Sequence, residues 1–292
     1  MQFETRNPAS GELLTQFDFL SDSQLEQHLS EAELVATTWR KTSFSERASL
    51  LNAIASQLKQ QSQFLAETIS LETGKLLSEA YAEVEKCALV CRYYAANAQQ
   101  MLEPKLIQTT AQRSLVSYYP WGVVLAIMPW NFPLWQVFRC LAPALMSGNA
   151  LLLKHAPNVP RCARAIEKVI RDAGAPLGLM TDLTISVEQT SQVIADERVK
   201  AISFTGSEVA GRKIASLAGL HLKPAILELG GSDPFIVLDD ADMSKVIDAA
   251  MLARFSNAGQ VCIADKTFFS GFQSPSRIYH FIIRKSESIR NR

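Results

Sequence analysis

The chain has 292 residues, of which 48% are hydrophobic and 20% are charged, and its formal net charge is zero. This balance is typical of a globular protein with a large core or two domains, and it argues against a nucleic-acid or membrane-surface binder. No stretch approaches the roughly 20 apolar residues that span a bilayer. The N-terminus has no basic head followed by an apolar run, so no signal peptide is predicted.

The 5 cysteines are scattered along the chain, which predicts reduced thiols and a cytoplasmic protein. Cys87 and Cys91 lie one helical turn apart in a helical pattern. No further metal ligand is near them in the sequence, so the pattern favours core packing, and we predict no metal site.

The N-terminal part of the chain predicts a turn, an extended segment and then helices with apolar residues at helical spacing. The first helix is expected to start from a cap at Ser21 or Asp22, and the second from a cap at Ser45. A third is expected over about 63–73, and a fourth over about 75–101. These helices carry no converging polar chemistry, so we interpret them as scaffold.

From residue 108 the pattern changes to extended segments and then to strands that alternate with helices. Apolar runs predict strands at 123–127, 150–154, 183–185, 199–204, 225–229 and 235–238. Helices are expected to end at Met146, Gly174, Ala218 and Phe255. This alternation predicts an α/β fold with a doubly wound parallel sheet.

Polar or glycine-rich residues stand at the ends of the predicted strands, where such sheets bind their ligands. They are Asn131, Lys154, Gly206 with Ser207, and Glu228. Each has a structural interpretation: a pinned turn, a solvated lysine, an ordinary strand-to-helix turn and a satisfied glutamate. Such residues at several independent strand ends are hard to attribute to scaffold alone, so the pattern favours a site.

The same residues have chemical roles open to them. A rigidly held Asn131 can donate a hydrogen bond to an oxyanion, and Lys154 can bind cofactor hydroxyls or phosphate. The helix that follows Gly206 presents free amide groups, which favour a phosphate. Glu228 lies between two leucines, where a carboxylate is costly unless it is paired or has a raised pKa, and we favour a general base.

Cys262 follows a small turn, Asn-Ala-Gly-Gln-Val at 257–261, behind a long apolar segment. A thiol that a turn exposes is a nucleophile when a neighbour helps to deprotonate it. By itself, a lone cysteine is more often a small buried side chain. The interpretation of Cys262 therefore depends on the other motifs.

Taken together, the motifs resemble those of the aldehyde dehydrogenase superfamily in order and approximate spacing. They are Pro-Trp-Asn-Phe-Pro at 129–133, Phe-Thr-Gly-Ser at 204–207 with Gly211, Leu-Glu-Leu-Gly-Gly at 227–231 and Gly-Gln-Val-Cys at 259–262. The resemblance covers about residues 7–266. Within the superfamily the chain looks most like the succinate-semialdehyde dehydrogenases, on the segments 85–94, 154–158 and 230–235.

The resemblance implies NAD(P)-dependent oxidation of an aldehyde, with succinate semialdehyde as the expected substrate, to the carboxylic acid. Cys262 would attack the aldehyde carbonyl, and Asn131 with the backbone amide of Cys262 would hold the oxyanion. Glu228 would activate the water that hydrolyses the thioester. Arg139 matches an arginine that binds the substrate carboxylate in related succinate-semialdehyde enzymes, while Ser256 stands where some of them have a second arginine.

The resemblance also assigns residues to the cofactor. Lys154 would contact the adenosine ribose or its phosphate, and Gly206 with Ser207 would lie near the pyrophosphate. The other residues assigned to the cofactor are Trp130, Gly211 and Leu229. Many family members have a glutamate where this chain has Pro157, and that glutamate repels a 2′-phosphate. We therefore predict that the chain tolerates or prefers NADP over NAD.

The resemblance implies an NAD(P)-binding domain at 1–106 and 120–229, an oligomerisation arm at 107–119, the start of a catalytic domain at 230–266 and a divergent tail at 267–292. Full-length family members form homo-oligomers and continue well beyond this cysteine, so we predict a C-terminally truncated chain with an incomplete catalytic domain. The expected partner is a small aldehyde. Two alternatives are an inactive fragment that at most binds dinucleotide or pairs with another subunit, and a thiol hydrolase without a cofactor.

Overall fold

The structure is a computed structural model that describes residues 2–270. The chain consists of two compact units, of which the first ends at Glu228 and the second begins at Leu229. Within the described range, no helix is long and apolar enough to cross a membrane.

The first unit opens with a strand hairpin followed by helices. These elements are β1 (Gln2–Arg6), β2 (Leu13–Asp18), α1 (Asp22–Trp39), α2 (Phe44–Gln60), α3 (Ser62–Thr73) and α4 (Leu77–Met101). Ser21 caps α1 as predicted, because its hydroxyl accepts from the Gln24 N–H and the Gln24 side chain accepts from the Ser21 N–H. The predicted cap at Ser45 is wrong. Ser43 caps α2 instead, in the same kind of reciprocal contact with Glu46.

Two short strands, β3 (Lys105–Leu106) and β4 (Leu115–Val116), pair in antiparallel fashion next to and within the segment predicted as extended. Their side chains are exposed, and so are the large side chains of the neighbouring Tyr118 and Tyr119. The role of the arm at 107–119 in oligomerisation stays a prediction.

The core of the first unit is a parallel sheet. Its elements alternate along the chain: β5 (Val123–Met128), α5 (Trp135–Met146), β6 (Ala150–His155), α6 (Pro160–Asp172), β7 (Met180–Asp182), α7 (Val187–Ala195), β8 (Val199–Thr205), α8 (Glu208–Leu220) and β9 (Ala225–Glu228). The 5 strands lie in the order β7-β6-β5-β8-β9, and every neighbouring pair is parallel. The predicted α/β fold with a parallel sheet is confirmed. All residues of β5 are buried, as expected of a continuous apolar run in the middle of such a sheet.

The strand order creates a switch point between β5 and β8. From β5 the chain moves to β6 and β7 on one side, and from β8 it moves to β9 on the other side. Right-handed crossovers then place α5 and α6 on one face of the sheet and α7 and α8 on the other. The crevice between such helices, at the carboxyl ends of the two central strands, is where open α/β sheets bind ligands.

In its described part, the second unit has few elements: β10 (Asp233–Val237), α9 (Met243–Phe255), a 3₁₀ turn (Ser256–Gly259) and β11 (Asp265–Ser270). The strands β10 and β11 form a parallel pair. The side chains recorded as buried in this part are Val237, Ala250, Asn257 and Ala264. The predicted tail begins within β11, and its remainder at 271–292 lies outside the described residues.

Some predicted elements differ from the structure. The strand predicted at 183–185 is wrong, because β7 lies three residues earlier, at Met180–Asp182. Its register is set by the pairing of Leu153 in β6 with Asp182. Helix α7 was not predicted, since this short segment interrupts its apolar face with polar residues. The last predicted strand is present as β10, but it pairs with β11 and does not join the parallel sheet.

Candidate functional site

Four of the predicted site residues lie at the carboxyl ends of adjacent strands. Across this edge the order is Lys154 in β6, Asn131 after β5, Gly206 after β8 and Glu228 at the end of β9. Neighbouring strands are about 4.8 Å apart, so these strands span about 14 Å. Ile127 of β5 pairs with Lys154 on one side, which keeps the strand ends level. The structure therefore brings these residues to one edge of the sheet, and their chemical roles stay predictions.

A buried ion pair fixes the turn that carries Asn131. The Lys75 ammonium pairs with Glu83 Oε2, and both side chains are only 1% exposed. Glu83 Oε1 accepts hydrogen bonds from the backbone N–H groups of Leu134 at 2.8 Å and Trp135 at 3.0 Å, where α5 begins. The carboxylate thus satisfies amide groups that have no partner within the helix, and it complements the helix dipole.

Two further contacts hold the residues just before α5. The Lys75 ammonium lies 4.3 Å from the centroid of the Phe132 ring. His155 donates from Nε2 to the Pro133 carbonyl at 2.8 Å, while its Nδ1 accepts from the Ala156 N–H. Burial lowers the pKa of His155 to about 4, so the ring is neutral at neutral pH. Phe132 and Pro133 are therefore each held by a residue from another part of the first unit.

The sequence did not single out Lys75, Glu83 or His155. Lys75 was interpreted only as the start of a helix, and Glu83 lies within that predicted helix. A sequence signal does exist, because Glu83 shares the buried face of α4 with Ala80 and Cys87. A carboxylate on a core-facing stripe requires a buried partner.

Lys154 lies beside a buried acid. Burial lowers the pKa of the Lys154 ammonium, and the nearby Asp182 partly offsets this effect. Burial, together with the charge of Glu167, raises the pKa of Asp182 to about 7. The Thr184 hydroxyl donates to the Asp182 carboxylate at 3.3 Å. At neutral pH Asp182 is incompletely ionised, so it does not fully neutralise the lysine.

Gly206 joins β8 to α8 in a tight connection. Its N–H donates to the Glu228 carbonyl at 3.0 Å, which ties the ends of β8 and β9 together. A Cβ at position 206 would lie 2.6 Å from Cζ of the Phe204 ring, so a larger residue does not fit unless the ring moves. Ser207 caps α8 by accepting from the Ala210 N–H at 3.3 Å. The amide groups of this helix N-terminus favour a phosphate at the carboxyl edge of the sheet.

Glu228, the predicted general base, forms an ion pair with Arg139, the predicted substrate-binding residue. Arg139 Nη2 is 2.9 Å from Glu228 Oε1, and the two side chains are 34% and 51% exposed. The sequence predicted a carboxylate enclosed by an apolar strand. That environment is wrong, because β9 is the edge strand of the sheet and the end of the strand is open to solvent.

A cavity of about 320 Å³ lies beside this ion pair, and residues of α5, β8 and β9 line it. Arg139 and Glu228 contribute its charged groups. Its other walls are largely apolar and include Trp121, Val124, Pro143, Ala144 and Ile226. Cys140 also lines it, but burial raises the pKa of this thiol, which makes it a poor nucleophile.

Cys262 lies in the second unit, after a turn of left-handed residues. Asn257, Ala258 and Gly259 have φ angles of 56°, 55° and 74°. Positive φ is rare for residues other than glycine, and the strain that it stores tends to occur at functional sites. The Asn257 side chain donates to the Gln260 carbonyl at 3.2 Å and so holds the turn. The turn leaves Cys262 partly exposed.

The remaining predicted site residues divide between the units. Trp130 is exposed next to Asn131, and Gly211 is buried near the start of α8. Leu229, like Cys262, belongs to the second unit. Within the described residues, no cluster of His, Cys, Asp and Glu side chains is arranged to hold a metal ion.

The motifs at the sheet edge and around Cys262 belong to one continuous match. Residues 1–271 fit the sequence profile of the aldehyde dehydrogenase family. The chain belongs to the aldehyde dehydrogenase family. The resemblance inferred from the motifs is therefore confirmed, and the match extends a few residues beyond both predicted limits.

The relatives of this aldehyde dehydrogenase chain include succinate-semialdehyde dehydrogenases. A probable NADP(+) enzyme of that name from Synechocystis is 46% identical over 268 residues, which are 92% of this chain and 59% of the relative. The NAD(P)+ succinate semialdehyde dehydrogenase Sad of Escherichia coli is 45% identical, over 90% of this chain and 57% of the relative.

Solved structures give the same result for the fold. The succinic semialdehyde dehydrogenase of Streptococcus pyogenes, solved in complex with NADP+, superposes with a TM-score of 0.95 at 38% identity. The superposition covers 98% of this chain and 63% of that one. The chain thus spans less than two thirds of the length of each of these relatives.

Proposed function

We propose that this chain performs the NADP-dependent oxidation of a short aldehyde that carries a carboxylate, succinate semialdehyde, to the corresponding acid. The observation that carries the proposal is the Arg139–Glu228 pair at the carboxyl edge of the sheet. There, a cation suited to a carboxylate lies 2.9 Å from a carboxylate able to activate water. The planar guanidinium matches carboxylate geometry better than an ammonium does. The names of the relatives from Synechocystis and Escherichia coli support the same substrate.

The carboxyl edge fits a dinucleotide. The N-terminus of α8, with Gly206 and Ser207, suits the pyrophosphate, and Lys154 suits a ribose hydroxyl or a phosphate. Pro157 is exposed and carries no charge, so no acid at that position opposes a 2′-phosphate. We therefore favour NADP over NAD, in line with the NADP+ complex of the Streptococcus pyogenes relative.

The proposed chemistry uses three residues. The Cys262 thiolate attacks the aldehyde carbon, and a carbon–sulfur bond forms as the carbonyl oxygen becomes an oxyanion. The Asn131 amide and the Cys262 N–H donate hydrogen bonds to that oxyanion. Loss of a hydride from the same carbon converts the adduct to a thioester, and a dinucleotide held by Lys154, Gly206 and Ser207 would supply the hydride acceptor. Glu228 then takes a proton from water, whose oxygen attacks the thioester carbon and releases the acid and the thiolate.

A second candidate function is dinucleotide binding without turnover. It is favoured by the small buried core in the described part of the second unit, which carries Cys262. An isolated pair of strands is only marginally stable in water, and β10 and β11 form such a pair. In that case the first unit would bind NADP+ while the thiol lacked a fixed position.

One experiment separates the two candidates. The purified chain is mixed with succinate semialdehyde and NADP+, NADPH formation is followed by absorbance, and the melting temperature is measured with and without NADP+. We expect NADPH formation by the wild type and none by Cys262→Ala, with NADP+ raising the melting temperature of both proteins. A raised melting temperature without NADPH supports the second candidate, and no effect of NADP+ at all contradicts both.

A further inference from the structure

Glu228 and Arg139 occupy each other in this structure, which bears on substrate selection. We propose that Glu228 is a specificity-determining residue, because it competes with the substrate carboxylate for Arg139. An aldehyde that carries a carboxylate displaces Glu228 and frees it to act as a base, whereas an aldehyde without a carboxylate leaves Glu228 paired. This inference rests on the proposed function, because it concerns the same site.

The Arg139 guanidinium has a partner at each of its two terminal nitrogens. Arg139 projects from α5, whose first amide groups are held by the buried Glu83. Its Nη1 donates to Gln136 Oε1 at 3.4 Å, and Gln136 is itself buried. The other end of the fork, Nη2, is the one that meets Glu228 Oε1 at 2.9 Å. A ligand carboxylate that pairs with Nη2 would therefore compete with Glu228 for it.

Displacement changes what Glu228 can do. While it is paired, one of its carboxylate oxygens is occupied by the guanidinium. Once a ligand carboxylate replaces it, the Glu228 side chain can turn toward another partner. Since the pair is partly exposed, its strength is that of a surface ion pair. Replacing Glu228 by a ligand carboxylate therefore has a small free-energy cost.

The surroundings favour a short ligand with one charged end. Arg139 and Glu228 both line the cavity of about 320 Å³, whose remaining walls are largely apolar. This volume is at the lower end of the range for small-molecule sites. An aldehyde with an apolar end would fill the cavity without displacing Glu228, so the ion pair discriminates against it.

The test measures binding of succinate, which carries the carboxylates but no aldehyde, so no turnover is needed. Isothermal titration calorimetry is run on the wild type, Glu228→Gln, Glu228→Ala, Arg139→Met and the double variant Arg139→Met/Glu228→Gln. Glu4→Gln is the matched control, since Glu4 forms a similarly exposed pair with Arg6, at 2.8 Å and 48% exposed. Circular dichroism checks that each variant is folded.

We expect Glu228→Gln and Glu228→Ala to bind succinate about two- to fivefold more tightly than the wild type, because a surface ion pair of this kind is worth up to about that factor. Arg139→Met and the double variant should lose binding, and Glu4→Gln should bind as the wild type does. A Glu228→Gln protein with unchanged or weaker affinity overturns the proposal, as does a gain that persists without Arg139 or a failure of every variant to bind succinate. Absence of NADPH formation would contradict the proposed function while leaving this binding result intact.

Discussion

Lys75 and Glu83 form an ion pair that is almost entirely removed from solvent, with both side chains 1% exposed. The pair links the segment before α4 to the start of α5, because the same Glu83 carboxylate accepts from the Leu134 and Trp135 amides. Asn131, the predicted oxyanion donor, lies directly before these contacts. The pair therefore connects the stability of the first unit to the geometry of its candidate site.

Replacing Glu83 with alanine should destabilise the first unit by about 3–5 kcal/mol, since it leaves a buried ammonium without its partner. Urea denaturation provides the measurement. The matched control is Glu85→Ala on the same helix, where an exposed pair with Lys59 at 3.8 Å is lost. That change should cost no more than about 1 kcal/mol. Equal losses of unfolding free energy in the two variants would contradict the stabilising role of the buried Lys75–Glu83 pair.

His155 should make the protein sensitive to acid. Its pKa falls from 6.5 to about 4 on folding, so the folded state resists protonation. The stabilisation that arises from this pKa shift is fully present above about pH 6.5, and it is lost as the pH falls toward about 4. The shift corresponds to roughly 3 kcal/mol. Since Asp182 titrates in an overlapping range with the opposite sign, the quantity to measure is the difference between the wild type and His155→Gln.

The free energy of unfolding of both proteins is measured between about pH 4 and 7. We expect the stability advantage of the wild type over His155→Gln to shrink as the pH falls, because glutamine can still donate to the Pro133 carbonyl but cannot take up a proton. A constant difference over this range would show that His155 is not held neutral by the fold.

Gly206 should tolerate no side chain. Gly206→Ala places a Cβ 2.6 Å from the Phe204 ring, and such overpacking costs about 1–3 kcal/mol and shifts the start of α8. Weaker NADP+ binding, measured by the shift in melting temperature, should accompany the loss of stability. Gly219→Ala on the same helix is the control, because nothing lies within 4 Å of a Cβ there. It should leave NADP+ binding unchanged, and an equal loss in both variants would exclude the packing explanation.

The sequence predicted the sheet well because its strands are apolar runs that end at chemically distinct residues. It placed β7 too late, since Thr181 and Asp182 interrupt the apolar pattern and the register comes from pairing with β6. It missed α7, whose start is marked mainly by the Ser186 cap and Gln189. For β7 a neighbouring strand decides what the local pattern leaves open, whereas α7 begins at a local signal, its Ser186–Gln189 capping box.

The candidate site was predictable as a set of residues but not as a set of contacts. Asn131, Lys154, Gly206 and Glu228 could be named because each stands at or just after the end of an apolar strand. The ion pair of Glu228 with Arg139 could not be foreseen, since it joins residues that are far apart in the sequence and meet only when β9 becomes the edge strand. The contact of His155 with the Pro133 carbonyl likewise depends on β5 and β6 being neighbours.

The most direct test of the proposed oxidation is to trap its thioester. Glu228→Gln is mixed with succinate semialdehyde and NADP+, and the protein is digested and analysed by mass spectrometry while NADPH is followed by absorbance. Because the variant lacks the base that activates water, we predict one burst of NADPH and a succinyl group on the peptide that contains Cys262. The account is contradicted if a folded Glu228→Gln protein that binds NADP+ shows no burst of NADPH and no modification of Cys262.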